Sequence, residues 1–564
     1  MKKISTMLLV FLFVLGFVGC GESSQEPAPS TEESGILDTQ TLAVTNMEFE
    51  LADASHITVH HFSLGTLPLA GMVWDADTQI HAPAQIPAPL DGIIAIPDGD
   101  GAHPLVVLLH GNTETRGIHD PVYAGFDFLV AQLAAEGYIA VSINIIVDFA
   151  FEVEVDGQIV TGESNAHEWA YALFNAHIDA LYVANAGEET PHGIDLTGRI
   201  LVDEIHLIGH SRGGMIGDMF YRHDRDAGIT RIRSLTRVGT STYIFDPPYY
   251  HPNIPTAILL AQFDGDLTTP FGQTVFDQIL EQSSSIALVQ LTYLQGANHN
   301  FFNGFFEEDD RITTLEEYAA LFSAHEDTWL TREEQETFLK HYVTAFLAVV
   351  TQRQVPFSTF HPSEAQPATM FGFPVRASTY VPPATKVEVT QGEVSDSALV
   401  ENYVQRWGGG GLFRHPLADP GTDELALISL SWTEVGAFVS LIPQTTDFSA
   451  YQALSLYVAV DSGDERNQAG KPQSFTLILT DASGAAQALV IPPQTAALYF
   501  HIGEEVPPNQ YLDFSTWRGY MPFSELRIPL TYFTELALDN IVSITFQFDQ
   551  TPLGAIMLRD IFLK

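Results

Sequence analysis

Glu204-Ile205-His206-Leu207-Ile208 is a largely apolar run, followed directly by Gly209-His210-Ser211-Arg212-Gly213-Gly214. The next residues, 215–221, have helical spacing. A strand, a G-x-S-x-G motif and a helix in this order are typical of a nucleophile elbow, where a serine lies on a strained turn and glycines let strand and helix pass closely. The stretch therefore predicts Ser211 as a nucleophile and the backbone N–H of Arg212, at the helix N-terminus, as an oxyanion donor.

Strand-like and helical segments alternate on both sides of this stretch. The strand-like runs are residues 57–64, 92–96, 104–109, 138–143, 235–238, 256–260 and 287–293, and the helical ones are 126–136, 167–184 and 333–350. Run 104–109 is continuously apolar, as expected of a strand buried on both faces. The alternation predicts an α/β fold with a mostly parallel sheet and helices on both faces.

This order, with the elbow after the fifth strand, resembles the α/β-hydrolase fold over roughly residues 50–352. Within that superfamily, the elbow and the turn His110-Gly111-Asn112 are similar to those of the chlorophyllase, dienelactone hydrolase and secreted polyester hydrolase branches. The resemblance implies a serine hydrolase that needs no cofactor. The sequence has no long helical insertion before the acid-bearing strand, so we expect an open site without a large lid.

A serine hydroxyl needs a base to take its proton and an acid to orient that base. By resemblance, the base is His299 in the turn Gly296-Ala297-Asn298-His299, after the last strand. The acid is expected in the loop after residues 256–260, where a D-x-x-x-P form selects Asp266. Asp264 is the second candidate and Asp246 a distant third.

The resemblance also implies the backbone N–H of Asn112 as the second oxyanion donor, and His110 and His210 as residues that shape the two turns. The side chain of Arg212 could bind an anionic substrate group. An ion pair with Asp218 or Asp120 is the favoured alternative in so acidic a chain.

The charge balance restricts the partners. The 564 residues carry 70 acidic and 24 basic side chains, a formal charge of −46. A phosphate-binding surface needs clustered Lys and Arg, so nucleic acid is not an expected partner. No H-E-x-x-H or comparable spacing lies near the elbow, and no metal is expected there. The acidic run 307–310 is interpreted as a solvated loop, with calcium binding as the alternative.

The N-terminus resembles a bacterial lipoprotein signal. Lys2 and Lys3 precede an apolar run, 7–18, that is too short to span a bilayer, and Gly19-Cys20 follows. The resemblance implies lipidation of Cys20, the only cysteine in the chain, although Phe17 departs from the usual leucine and leaves ordinary secretion open. We expect a signal at 1–20 and a flexible tether at 21–45.

The C-terminal part has a different pattern. Residues 355–384 are rich in Pro, Ser, Thr and Phe, which predicts a linker after a catalytic domain spanning 46–354. Short apolar or alternating runs between 385 and 564 predict a β-sandwich. The pieces at 447–454, 527–530 and 554–561 resemble galactose-binding-like jelly rolls, including carbohydrate-binding modules.

The sequence thus predicts a surface-anchored hydrolase of carboxylic esters, with polymeric or glycan-linked esters among the candidate substrates. The first alternative is a glycan- or polymer-binding surface protein whose hydrolase domain is vestigial. The second is a peptidase or acyltransferase that uses the same triad. A catalytic domain that folds without the sandwich is expected from the change in pattern near 355–384.

Overall fold

The computed structural model describes residues 39–75, 80–112, 118–146, 152–155, 158–161, 167–240, 253–268, 271–281, 287–351, 361–406, 415–416, 424–507, 516–519 and 521–564. The chain divides into two units, Met1–Leu37 and Asp38–Lys564. The predicted signal, Cys20, most of the predicted tether and Asp246 lie outside the described residues. None of the described helices combines the length and apolar character that a membrane crossing requires.

The strands of the catalytic part and of the segment after it are β1 (Thr39–Thr41), β2 (Thr45–Met47), β3 (His60–Asp75), β4 (Ile80–Ala95), β5 (His103–Leu109), β6 (Ile139–Ile143), β7 (Glu152–Val155), β8 (Gln158–Thr161), β9 (Ile200–His210), β10 (Ile232–Val238), β11 (Thr256–Ala261), β12 (Val289–Leu294), β13 (Pro367–Met370) and β14 (Phe373–Tyr380). The helices are α1 (Asp127–Ala135), α2 (His167–Asn185), α3 (Arg212–Asp226), α4 (Phe271–Glu281), α5 (Asp310–Thr313), α6 (Glu316–Ser323) and α7 (Arg332–Val350).

The C-terminal strands are β15 (Thr385–Lys386), β16 (Val389–Val394), β17 (Ala398–Arg406), β18 (His415–Pro416), β19 (Glu424–Trp432), β20 (Ala437–Pro443), β21 (Ala453–Val460), β22 (Phe475–Asp481), β23 (Ala486–Ile491), β24 (Glu504–Val506), β25 (Thr516–Arg518), β26 (Ser524–Pro529), β27 (Ile541–Phe548) and β28 (Gly554–Leu563). Short 3₁₀ turns at Val122–Phe126 and Asn300–Phe302 flank the site described below.

The largest sheet within the described ranges has the order β2-β13-β14-β12-β11-β10-β9-β5-β6-β4-β3-β8-β7. Every neighbouring pair from β12 to β6 is parallel, whereas β4 is antiparallel to both of its neighbours. Setting aside the β7–β8 hairpin, β9 is the fifth strand from β3 onward, and the elbow follows it. The prediction of an α/β sheet is confirmed, and its six central strands, β12 to β6 in this order, are parallel; the outer strands add antiparallel pairs that the sequence did not indicate.

Different helices pack on the two faces of this sheet. Because side chains alternate along a strand, Val106 and Leu108 of β5 pack in one cluster with α1 and α7, while Leu105 and Val107 pack in another with α2 and α3. A capping box begins α7: the Glu334 N–H donates to Thr331 Oγ1 at 3.3 Å, and the Thr331 N–H donates to the Glu334 carboxylate at 2.7 Å. Helices therefore cover both faces, as the sequence predicts.

The C-terminal part contains two sheets with one apolar core between them. One has the order β1-β23-β22-β27-β20-β16, and the other β18-β17-β19-β28-β21-β26, with β15 paired to β28. Inward residues of both sheets, among them Leu441 and Leu477 from the first and Leu456 and Leu558 from the second, form a single buried cluster. An all-β C-terminal part is what the sequence predicts; the jelly-roll assignment stays a prediction.

Two boundaries expected from composition differ from the structure. The expected linker, 355–384, contains β13 and β14, and β14 pairs antiparallel with β12 over six residue pairs from Val289↔Tyr380 to Leu294↔Val375. The expected tether, 21–45, contains β1, which pairs with β23, and the first residue of β2, which pairs with β13. β1 has only three residues and β14 is buried on both faces, so neither strand shows an alternating apolar pattern in the sequence.

Buried charges join the C-terminal sheets to the catalytic part. Glu525 accepts hydrogen bonds from Arg527 at 3.0 Å, from Lys564 at 2.6 Å and from the backbone N–H of Thr379 at 2.8 Å. Arg559 pairs with Asp277 of α4 and with Asp560. Charges removed from water in this way need fixed partners, so separation of the two parts would leave buried charges unpaired.

We therefore expect a chain ending at Gln354 to be insoluble or inactive, contrary to the independence that composition suggests. The truncation removes Met370 and Val375, both fully buried in the main core. Burial of such side chains contributes about 1.5–3 kcal/mol each, a large part of the roughly 5–15 kcal/mol that stabilises a domain. Sedimentation and turnover of p-nitrophenyl acetate check this; a soluble truncation as active as the full chain would contradict it.

Candidate active site

Ser211 lies on a sharp turn between β9 and α3. Its φ and ψ are 56° and −126°, and Phe371 is the only other non-glycine residue with positive φ in the described ranges. Its backbone N–H donates to the carbonyl of Val238 at 2.8 Å. A non-glycine residue in this region of backbone space is strained and persists only where the surroundings fix it. The predicted elbow is therefore present in the backbone geometry.

The glycines around Ser211 are required by close packing. A Cβ on Gly209 would lie 2.3 Å from the carbonyl carbon of Gly213, and one on Gly213 would lie 2.3 Å from the carbonyl oxygen of Leu109. A Cβ on Gly111 would lie 2.8 Å from the Cβ of Ser211. The turn after β5 is thus packed directly against the serine, and any side chain at these three positions would push the elements apart.

His299 follows β12 and reaches Asp264, which follows β11. The imidazole Nδ1–H donates to Asp264 Oδ2 at 2.9 Å, and the N–H of Leu267 donates to Asp264 Oδ1 at 2.6 Å. Both side chains are buried, with 3% of His299 and 5% of Asp264 exposed. Because the carboxylate is held at both oxygens, it fixes the ring orientation and leaves Nε2 as the nitrogen that can accept a proton.

Asp266, the acid preferred from the D-x-x-x-P form, does not occupy this position. Its side chain is 60% exposed, and its Oδ2 lies 3.5 Å from Nε2 of His299. The loop turns at Gly265, so the two aspartates approach opposite edges of the imidazole. The preference for Asp266 over Asp264 is therefore corrected: Asp264 is the partner of Nδ1.

Three carboxylates control the protonation of His299. Burial of the ring disfavours its charged form, but the charges of Asp264, Asp266 and Asp310 outweigh burial and raise the pKa of His299 to about 9. The imidazole is therefore protonated at neutral pH in the free protein. Any role of His299 as a base would increase as the pH rises toward this pKa.

Asp310 joins the loop of Asp264 to the turn of His299. Its Oδ2 accepts the backbone N–H of Gly265 at 2.7 Å and that of His299 at 3.1 Å, while Oδ1 accepts the N–H of Asn300 at 2.9 Å. Burial and the charge of Asp264 raise the pKa of Asp310 to about 6. The sequence placed Asp310 only in the acidic run 307–310 and did not indicate this role; the available signal was an acidic side chain eleven positions after the histidine.

Asp309 and Arg311 also hold the turn that carries His299 in place. The Arg311 guanidinium pairs with Asp309 at 2.7 Å, donates to the carbonyl of Gly296 at 3.0 Å, and lies 4.3 Å from the centre of the Trp329 ring. Asp309 also accepts from the side-chain amide of Asn298 at 2.9 Å. Only Glu307 and Glu308 of the acidic run are exposed, so its interpretation as a solvated loop is wrong for its second half.

Within the described ranges, no group of three or more His, Cys, Asp or Glu side chains is arranged to hold a metal ion.

His110 and His210 are buried beside the elbow. His110 donates from Nδ1 to the carbonyl of Gly111 at 2.7 Å, and its Nε2 accepts the N–H of Ile145 at 3.0 Å. His210 donates from Nε2 to the carbonyl of His299 at 3.0 Å. Burial lowers the pKa of His110 to about 4 and that of His210 well below its usual value. Both rings are therefore neutral hydrogen-bonding groups in the two turns.

The turns that carry Ser211 and His299 contact each other through residues next to Ser211 and Val238. His210 donates a hydrogen bond to the backbone carbonyl of His299. Gly239 follows Val238, whose carbonyl accepts the N–H of Ser211, and a Cβ on Gly239 would lie 3.1 Å from Nδ1 of His299.

Arg212 is the first residue of α3, where the backbone N–H is free of helical bonds. Asn112 follows Gly111 and is half-buried.

Asp218, one expected partner of the Arg212 side chain, is bonded to the buried Arg237. Burial raises the pKa of Asp218 to about 6 against the opposing charge of Arg237. The structure therefore gives Asp218 a different cation from the one that the sequence analysis favoured.

Comparisons with known proteins give distant similarities. The chain is similar in structure to a ferulic acid esterase from Streptomyces cinnamoneus, with 17% identity, 55% of this chain and 95% of that chain covered, and a TM-score of 0.31. A thermostable esterase from Pseudomonas putida has 13% identity, with 50% and 85% covered and a TM-score of 0.27. An esterase from the archaeon Pyrobaculum calidifontis has 15% identity, with 48% and 83% covered and a TM-score of 0.27. No protein-family model matches the chain, and no curated protein matches it.

Proposed function

We propose that this chain is a serine hydrolase that cleaves carboxylic esters through an acyl-serine intermediate. The observation that carries the proposal is the strained Ser211 at the start of α3, beside a buried His299 whose Nδ1 is bonded to Asp264. Asp264 takes the acid role in place of Asp266. Such an arrangement supplies a nucleophile, a base and an orienting acid at the carboxyl ends of β9, β12 and β11, three strands of the same parallel segment.

In the proposed reaction, Nε2 of His299 takes the hydroxyl proton as Ser211 Oγ attacks the ester carbonyl carbon. The carbonyl oxygen becomes an oxyanion, held by the backbone N–H groups of Arg212 and Asn112. Collapse of this intermediate releases the alcohol, which takes the proton from His299. Water, activated by the same nitrogen, then attacks the acyl-serine and releases the acid.

Labelling by a fluorophosphonate probe tests the proposal against the vestigial alternative. A competent triad should form a covalent adduct at Ser211, located by mass spectrometry of the labelled peptide. The full chain should also hydrolyse p-nitrophenyl esters. A peptidase or acyltransferase would be labelled as well, so peptide substrates and acyl transfer to added alcohols must be assayed alongside. Labelling without ester hydrolysis would favour one of those alternatives.

The C-terminal sheets are proposed to hold the enzyme on a polymeric or glycan-linked ester. The sequence resemblance to galactose-binding-like jelly rolls supports this role, since attachment to a surface raises the effective concentration of enzyme there. A comparison of soluble esters with acetylated glycans and polyester particles tests it. Equal rates on soluble and particulate substrates, with no retention on the particles, would count against it.

Export and lipid anchoring through Cys20 are proposed from the signal sequence alone. Replacement of Cys20 by Ser should release the protein from membranes without changing ester turnover, because no other cysteine is available for lipidation. Fractionation of cells that express each form, followed by detergent phase partitioning, measures this. If the substituted protein stays in the detergent phase, the lipoprotein interpretation fails.

A further inference from the structure

A cavity lies between the catalytic part and the C-terminal sheets. It contains about 480 Å³ of space free of protein atoms, part of it open to solvent. The catalytic part contributes the lining residues Phe263, Tyr293, Gln295 and Phe322. Strand β14 contributes Arg376, and the C-terminal part contributes His501. No function described above uses this cavity.

Arg376 is a buried cation without a carboxylate partner among the described residues. Its side chain donates to the ring of His501 and to the carbonyl of Phe500, the latter at 3.3 Å, and only 5% of the residue is exposed. Burial lowers the pKa of Arg376 to about 10, and that of His501 falls well below its usual value. The imidazole is therefore neutral and leaves the guanidinium charge uncompensated.

This arrangement is exceptional among the residues that the structure describes. The other deeply buried cations there are each paired with a carboxylate; they are Arg237, Arg311, Arg527, Arg559 and Lys564. The chain has 70 acidic and only 24 basic residues, so carboxylates that could pair with Arg376 are plentiful. Because an unpaired buried charge is costly, we expect the guanidinium of Arg376 to bind an anion from outside the chain.

Two more donors face the same space. Tyr293 is directly opposite Arg376 in the pairing of β12 with β14, so their side chains lie next to each other on one face. The hydroxyl of Tyr293 and the amide nitrogen Nε2 of Gln295 are buried and have no hydrogen-bond partner in the part of the chain that the structure describes. A guanidinium, a hydroxyl and an amide thus converge on one end of the cavity.

Another part of the lining is aromatic. Phe263 and Phe322 contact each other edge to face, with ring centres 5.3 Å apart, and both line the cavity. An inorganic anion would leave this apolar surface unused. A planar apolar body with one carboxylate would fill it and place its charge on the donors.

We propose that this cavity binds a small organic carboxylate with an aromatic body, its charge held by Arg376 and Tyr293 and its ring packed on Phe263 and Phe322. The ligand contacts both the catalytic part and the C-terminal part. The inference is independent of the proposed ester hydrolysis, because it rests on none of the triad residues.

Calorimetric titration of the full chain with benzoate tests the proposal, with benzamide as the neutral analogue of the same shape and acetate and chloride as anions without the ring. Benzoate should bind at least about tenfold more tightly than benzamide, because a charge-assisted contact is lost with the carboxylate. It should also bind more tightly than acetate and chloride, which lack the aromatic contact.

Two variants locate the binding. Arg376→Met should abolish the preference for benzoate over benzamide while p-nitrophenyl acetate turnover is unchanged. Tyr293→Phe removes one hydroxyl that has no partner in the free protein, so benzoate affinity should fall about three- to tenfold with no loss of thermal stability. If Arg376→Met does not fold, Tyr293→Phe decides alone. Equal binding of benzoate and benzamide, or undiminished benzoate affinity in the folded variants, would overturn the proposal.

Discussion

Replacement of Ser211 by alanine is expected to reduce ester turnover by about 10⁶-fold, because removal of a triad nucleophile leaves only the residual effect of binding and oxyanion stabilisation. The loss should be accompanied by loss of fluorophosphonate labelling. Turnover of p-nitrophenyl acetate and mass spectrometry of the treated protein provide the two measurements.

Thermal unfolding is the control for this substitution. Alanine keeps a Cβ at the strained φ of 56°, and the backbone bond from residue 211 to Val238 does not involve the side chain. The variant should therefore unfold at nearly the same temperature as the parent. Turnover above a few per cent of the parental rate in a clean preparation would remove Ser211 from the proposed mechanism.

Asp264→Asn is expected to lower turnover by about 10⁴-fold, because an amide in place of the carboxylate favours the wrong tautomer of His299 and cannot stabilise the imidazolium. Asp266→Asn is the matched control, since it makes the same change two residues away on an exposed side chain. It should retain most of the activity at high pH. The reverse ranking would return the acid role to Asp266.

The pH profile separates the two aspartates further. His299 must be neutral to act as a base, so kcat/KM should rise with pH up to its pKa of about 9. Asp266 contributes to that elevation, and Asp266→Asn should move the acidic limb to lower pH. A limb that does not move would show that Asp266 exerts no effect on the imidazole.

The sequence predicted the features that are local in the chain. The elbow needs glycine at positions 209 and 213 and a strand–turn–helix order, and each of these is readable from neighbouring residues around Ser211. The continuous apolar run of β5 and the alternation of strands with helices indicated the mixed sheet. His299 could be placed because its turn directly follows a strand.

Features that join distant segments required the tertiary structure. Asp264 and Asp266 are chemically identical and two residues apart, and only the turn at Gly265 decides which one meets Nδ1. Asp310 acts through backbone groups of Gly265, His299 and Asn300, so its role depends on contacts that composition does not encode.

The same reason explains the misplaced boundaries. β1 and β14 look like tether and linker because β1 has only three residues and β14 is buried on both faces, so neither shows an alternating pattern; only their pairing with β23 and β12 identifies them as strands. Local backbone preference and apolar spacing therefore determined the elbow, the helices and the central strands. The choice of acid, the support around His299 and the union of the two parts were decided by packing between residues far apart in the chain.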